Sequence, residues 1–307
     1  MKHHIAAAVV LGMLSTPQVI FGGEPAGLRF SPGENNEFSF DTGLLRGKLR
    51  AGGRSAGLSS VVHVPTGTRL DASMGLLGHY RVFSANKRYG TAAWDWPSEA
   101  RLAADGSVEV CWPAAADRPF ELRARYRWAE PEAVDLETVV EAKANLLKFE
   151  SFVASYFTSG FTNSAAHAGG QGTFLAAEKG EGVWQAFPRD AGAVTVIQDG
   201  RWKIEPNPVD WVIRPMLARP LGFRRCEANG LTAALMSPPT DCFAILTPHQ
   251  AEGHYSMYLC LFGRDVKAGE TARARARLFI AVSPPENALR QAYSAYLRGL
   301  SRTPSGG

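Results

Sequence analysis

The stretch Thr247–Leu259, "TPHQAEGHYSMYL", sets His249, Glu252 and His254 within six positions, directly ahead of an apolar run. An imidazole beside a carboxylate exchanges protons near neutral pH. Zinc peptidases instead carry His-Glu-x-x-His on a helix, where both histidines share one face a turn apart. Order and spacing both differ here, so no metal and no other cofactor is expected. The chemistry these residues suggest is acid–base, with His249, Glu252 and His254 as candidate catalytic groups. A solvated turn between two strands is the competing reading of the same residues.

A second cluster is "GLLGHYRVFSANKRYGTAAWDWPSEARL". Strand alternation puts His79 and Arg81 on one face with Tyr80 opposite, and Trp94 and Trp96 on one face with Asp95 opposite. Aromatic faces stack on the C–H faces of sugar rings, and guanidinium groups grip carboxylates in a planar fork. A third stretch, "KFESFVASYFTSGFTNSAAHAGGQG", ends a strand at Tyr156 and runs through a polar, glycine-rich loop to His167. Trp184 and Arg189 follow in "WQAFPRD", and Trp202 stands in a loop-like context. His79, Arg81, Trp94, Trp96, Tyr156, Trp184 and Arg189 are thus candidate substrate contacts, and His167 a fourth catalytic candidate. The bland alternative assigns the tryptophans to the core and His167 to a connection. A GxSxG elbow, a P-loop, a dinucleotide fingerprint and an EF-hand loop are all missing, which removes serine hydrolase, nucleotide and calcium readings.

Such groups need a rigid scaffold, and the periodicity says which. In "FELRARYRW" the residues Phe120, Leu122, Ala124, Tyr126 and Trp128 alternate with Glu121, Arg123, Arg125 and Arg127, the pattern of a strand with one wet face. "VDLETVVEA" repeats it after a short turn. Pairing the two as a hairpin sets Arg127 opposite Asp135 and Arg125 opposite Glu137, which helps to fix register. "TARARARLFIAV" is a third half-exposed strand, with Arg273, Arg275 and Arg277 outward. Further strands are expected in "NEFSFDT", "GLSSVVHV", "HYRVFS", "SVEVCW", "KFESFVASYF", "AVTVIQ", "LTAALMS", "CFAILTP" and "YSMYLCLFG". So many strands with little helical pattern between them specify an all-β, antiparallel sandwich. One helix is expected, in "PPENALRQAYSAYLRGL", packed on the sandwich edge by Leu289, Ala292, Tyr293, Tyr296, Leu297 and Leu300.

Residues 1–22 carry Lys2, a short apolar run and Gly22–Gly23, and read as a signal peptide of a secreted or periplasmic protein. No segment approaches the roughly 20 apolar residues of a membrane span. Residues 23–300 read as a single domain, and 301–307 as a disordered tail. The net charge of +4 is spread along the chain, which gives a nucleic-acid partner no electrostatic footprint. Cys111, Cys226, Cys242 and Cys260 contain no CxxC pair. A Cys226–Cys242 bridge across a hairpin is the preferred pairing, with four reduced thiols as the alternative.

With its terminal stretch "TPHQAEGHYSMYLCLFGRDVKAGETARARARLFIAV", including the turn Lys267-Ala268-Gly269-Glu270, and the early "GLSSVVHVPTGTRL", the sequence resembles the galactose-mutarotase-like β-supersandwich superfamily. The resemblance covers most of residues 30–283 as architecture. It implies a large antiparallel β-supersandwich with a shallow sugar cleft on a concave sheet. In the epimerases a histidine acts as acid and a glutamate as base, roles that would fall to His167 and Glu252. Lyase-like members would use a Tyr or His base with an Arg, here Tyr80, Arg81, Tyr156 and His254. Other members bind sugar without catalysis. The expected partner is therefore a saccharide, with the oligomeric state open.

Overall fold

The computed structural model describes residues 27–52, 57–178, 183–249 and 253–302. The expected signal segment, Glu252 and most of the expected tail lie outside them.

Among the described residues, three sheets make up the fold. Residues 31–69 supply a five-stranded sheet of consecutive neighbours. A nine-stranded sheet runs in the order Thr173–Ala176, Asn163–Ala168, Leu217–Arg225, Leu231–Met236, Thr271–Val282, Ala133–Ala142, Phe120–Glu130, Val108–Trp112, Glu99–Leu102. A seven-stranded sheet runs Val212–Ile213, Trp184–Pro188, Cys242–Pro248, Ser256–Val266, Leu146–Tyr156, Gly78–Ser84, Lys87–Arg88. All pairings are antiparallel except that of Trp184–Pro188 with Val212–Ile213. The architecture is an all-β sandwich.

The wet-and-dry alternation explains the nine-stranded sheet. Phe120, Leu122, Ala124, Tyr126 and Trp128 are buried against the other sheets. The hairpin has the expected register, Arg127 opposite Asp135 and Arg125 opposite Glu137. Arg127 bonds Asp135 at 3.3 Å, while Arg277 of the adjacent strand grips the same carboxylate at 2.6 and 3.0 Å. Arg125 turns instead to Asp105, at 2.7 Å.

The helix α2 (Glu286–Arg302) forms as expected but lies elsewhere. Leu289, Tyr293 and Tyr296 pack on Leu221, Phe223, Ala234 and Met236, so it covers the outer face of the nine-stranded sheet rather than an edge. The run read as the strand "AVTVIQ" is helical: α1 spans Ala191–Ile197. Asp190 accepts a bond from the Ala193 amide at 2.8 Å and caps it, which outweighs the β-preference of Val194, Thr195 and Val196. All four cysteines are free thiols. Cys226 directly follows a strand of the nine-stranded sheet and Cys242 begins one of the seven-stranded sheet, so no hairpin brings the two together.

His79 lies in the interior, fully buried, with Nε2 at 2.9 Å from the Thr138 hydroxyl and its ring 5.3 Å from that of Trp112. Burial disfavours the imidazolium and lowers its pKa from 6.5 to about 3. A folded-state pKa depressed in this way contributes stability above the unfolded value that is lost as pH falls from 6.5 toward 3. At about 1.4 kcal/mol per pH unit, the full loss from this one group is roughly 4 to 5 kcal/mol. His79→Gln should therefore flatten the pH dependence of the urea-unfolding free energy below pH 6.5. An unchanged slope would assign acid sensitivity to other groups.

Candidate functional site

The outer face of the seven-stranded sheet carries an aromatic cluster separate from the main core. Three devices of local structure build it.

The first is a β-bulge. Strands Gly78–Ser84 and Leu146–Tyr156 pair Val82 with Ser151 and His79 with Val153, leaving Tyr80 and Arg81 together opposite Phe152. Two residues facing one break the alternation. His79 consequently points into the core, while Arg81 joins Tyr80 on the outer face, with its guanidinium 5.2 Å from the Tyr80 ring and 5.1 Å from that of Trp202. The expected pairing of His79 with Arg81 on one face is thereby corrected.

The second is a 3₁₀ turn at Ala93–Asp95, where a strand was expected to hold both indoles on one face. The turn separates them. Trp94 stacks on Tyr80, with centroids 4.2 Å apart and planes 4° from parallel. Trp96 enters the main core beside Phe120 and beneath Arg118.

The third is the covering segment that follows α1. Arg201 is fully buried, bonding Glu150 at 2.8 Å, Asp199 at 2.9 and 3.0 Å, and the Lys148 carbonyl at 3.0 Å. These bonds pin Trp202 against Phe83 and Phe152, at 5.1 and 4.9 Å.

Tyr258 stands at the centre, its ring 4.6 Å from Phe152, 5.7 Å from Tyr156 and 6.2 Å from Trp211. Its hydroxyl accepts from Ser256 and hydrogen-bonds that of Tyr156. Burial pushes the Tyr258 phenol up to about 12 and that of Tyr156 well above its usual value, so both hold their protons at neutral pH. Tyr156 meets the ring of His254 edge-on at 5.6 Å, and His254 meets Trp184 at 5.4 Å. Trp184 in turn meets Trp211 at 5.6 Å. The floor of Tyr156, Tyr258, Arg81 and Trp94 is buried, and Tyr80, Trp184, Trp211 and His254 are half-buried around it.

The fold thus gathers Arg81, Trp94, Tyr156, Trp184 and His254 from the sequence candidates, with Tyr80 among them. His249 follows the Cys242–Pro248 strand, its amide bonded to the Val183 carbonyl at 3.2 Å. Arg189 stands at the far end of the Trp184–Pro188 strand, roughly 16 Å along at 3.3 Å per residue, and pairs with Asp190 at 2.8 Å. His167 belongs to the opposite layer. It is buried against Phe174 on the α2 side of the nine-stranded sheet, where burial lowers its pKa. No single pocket on this fold can therefore join His167 to His254. Tyr258 and Trp211 escaped the sequence reading. The alternation of Ser256 with Tyr258 was a usable signal for the first, whereas Trp211 reaches the site only through the path of its loop.

No protein-family model and no curated protein matches the chain. Solved structures do align with it. A mutant heparan sulfate lyase from Pedobacter heparinus aligns at 6% identity and a TM-score of 0.48, over 86% of this chain and 38% of its own. This chain spans little more than a third of that lyase. A GalM/aldose epimerase homologue from C. elegans aligns at 10% identity and a TM-score of 0.47, over 84% of this chain and 100% of its own. Galactose 1-epimerase from Lactobacillus acidophilus aligns at 10% identity and a TM-score of 0.44, covering 83% and 98%. Likenesses this distant leave the chemistry to be argued from the residues.

Proposed function

We propose that the protein binds a saccharide against the outer face of the seven-stranded sheet and that His254 exchanges a proton with it, in epimerase-like chemistry. One observation carries this reading: His254 sits edge-on between Tyr156 and Trp184, at 5.6 and 5.4 Å, and Tyr156 in turn lies near Tyr80 of the stacked Tyr80–Trp94 pair. Half-buried rings around a floor of polar tips suit a ligand with alternating C–H faces and hydroxyls. Tyr156, held protonated, supplies a hydrogen bond to a sugar oxygen. Histidine is the side-chain type that exchanges protons near neutral pH, and His254 is the imidazole in this cluster. Glu252, two positions earlier in the chain, is the proposed partner for the returning proton.

Glycan-array binding of the purified chain tests the first half, followed by assays for anomer interconversion and for unsaturated uronate product. Saccharide binding abolished by Trp184→Ala is the expected result. Binding that survives His254→Asn, with no turnover in either assay, would instead support a non-catalytic carbohydrate-binding protein. No glycan bound at all would end the proposal.

Helices give no support to a membrane span: among the described residues none is long and apolar enough to cross a bilayer.

A further inference from the structure

Arg81 and Arg88 lie near enough to each other at the edge of this face for their charges to interact, and among the described residues neither forms an ion pair with a carboxylate. Arg81 is 4% exposed, yet its Nε and Nη1 have no hydrogen-bond partner. Its Nη2 donates to the Asn207 carbonyl at 2.6 Å. Arg88 donates through Nη1 to the carbonyls of Ile204 at 3.2 Å and Pro206 at 2.6 Å, and through Nη2 to that of Thr91. Its Nε is likewise buried without a partner.

Two positive charges are thus held together against neutral backbone oxygens and the Tyr80 hydroxyl. Burial, and then the charge of Arg81, lower the pKa of Arg88, and Tyr80, followed by exposed Glu205, offsets this only in part. A charge withdrawn from water without a counter-charge is costly, and the usual remedy is a bound anion. Three of the four carbonyls belong to the strap 203–209. That strap buries little of its own: Lys203, Glu205, Pro206, Asn207 and Pro208 are exposed, and Ile204 and Val209 are half-buried. An ion pair between Lys203 and Asp210 and the bond from the Val209 amide to the Trp202 carbonyl close its base. Segments with so few apolar contacts open at low cost.

We infer that Arg81 and Arg88 form an anion subsite, in which a carboxylate or sulfate substituent of the ligand replaces the carbonyls of the strap and lifts it from the face. The inference rests on the saccharide reading for the rest of the ligand. An anionic acceptor makes the stronger, charge-assisted bond, and the guanidinium fork matches both groups in shape. Arg81 also lies close enough to Tyr156 for its charge to act on the phenol, which places the subsite next to the tyrosine proposed to hydrogen-bond the sugar.

Four probes test it: a uronate-containing oligosaccharide, the same oligosaccharide with its carboxyls reduced, a sulfated form of that neutral chain, and inorganic sulfate. Each is titrated against the wild type and against Arg88→Gln and Arg88→Lys, with melting temperatures confirming that the variants fold. The wild type should prefer an anionic oligosaccharide over the reduced one by at least about tenfold. Arg88→Gln should collapse that preference to within about threefold, and Arg88→Lys should restore part of it. Amide exchange at residues 203–209 should quicken with the anionic ligand and stay unchanged with the reduced one. The uronate and sulfate arms identify which group is recognised. If the reduced and anionic chains bind equally, the saccharide reading stands and the anion subsite is overturned. If no oligosaccharide binds but inorganic sulfate quickens exchange of the strap in the wild type and not in Arg88→Gln, the subsite stands and the saccharide reading falls. No response to any probe overturns the subsite.

Discussion

Arg201→Met should cost roughly 3 to 5 kcal/mol of folding stability, because it leaves Glu150 buried without its counter-charge. Glu150 and Arg201 are both fully buried and bonded at 2.8 Å, at the point where the covering segment joins the sheet. Burial alone raises the Glu150 pKa and the charge of Arg201 opposes it, so without the arginine the carboxyl would take up a proton or pull the segment open. The double variant Glu150→Leu/Arg201→Met should recover most of the loss, since a buried pair replaced by apolar groups of similar volume is often close to neutral. Urea-unfolding midpoints check both. A single variant as stable as the wild type would mean that water, or a proton taken up by Glu150, already compensates the charge. Trp202 depends on Arg201 for its place, so the single variant should also lose saccharide binding where the double variant keeps part of it.

His254→Asn should lower turnover about 10²- to 10⁴-fold, the range expected when a positioned acid–base group is removed. Tyr156→Phe should lower it roughly tenfold or more, as the loss of one hydrogen bond to a group that gains charge. Neither change should raise KM much if the rings of Trp184 and Tyr80 hold the sugar, so the loss should fall on kcat. Because the two side chains touch, the double variant should lose less than the product of the single effects. Full turnover in His254→Asn would exclude the imidazole as proton carrier and return attention to Glu252. His167→Gln should leave turnover untouched, since that ring lies in the opposite layer under α2.

Much of the fold was legible because sheet geometry is local. A side-chain period of two, sustained from Phe120 to Trp128 and from Thr271 to Val282, marks which face is wet without knowledge of the partner strand. The opposite charges of Arg127 and Asp135 then fix register across a short turn. The C-terminal helix was legible for the same reason, its apolar stripe recurring at helical spacing from Leu289 to Leu300. α1 was not, because a single capping carboxylate at Asp190 overrode a strand-like run.

The candidate site divides along the same line. Types and neighbourhoods of residues were enough to single out Tyr80, Arg81, Trp94, Tyr156, Trp184 and His254, since rings beside polar groups stand out in any strand or turn. Their sharing of one face rests on contacts far apart in the chain. A bulge turns Arg81 outward against Phe152, a 3₁₀ turn parts Trp94 from Trp96, and a buried ion pair between residues 150 and 201 lays Trp202 across the sheet. His167 went to the other layer because its strand joined the nine-stranded sheet. Alternation along a strand carries no information about which layer that strand enters, and long-range pairing settles it.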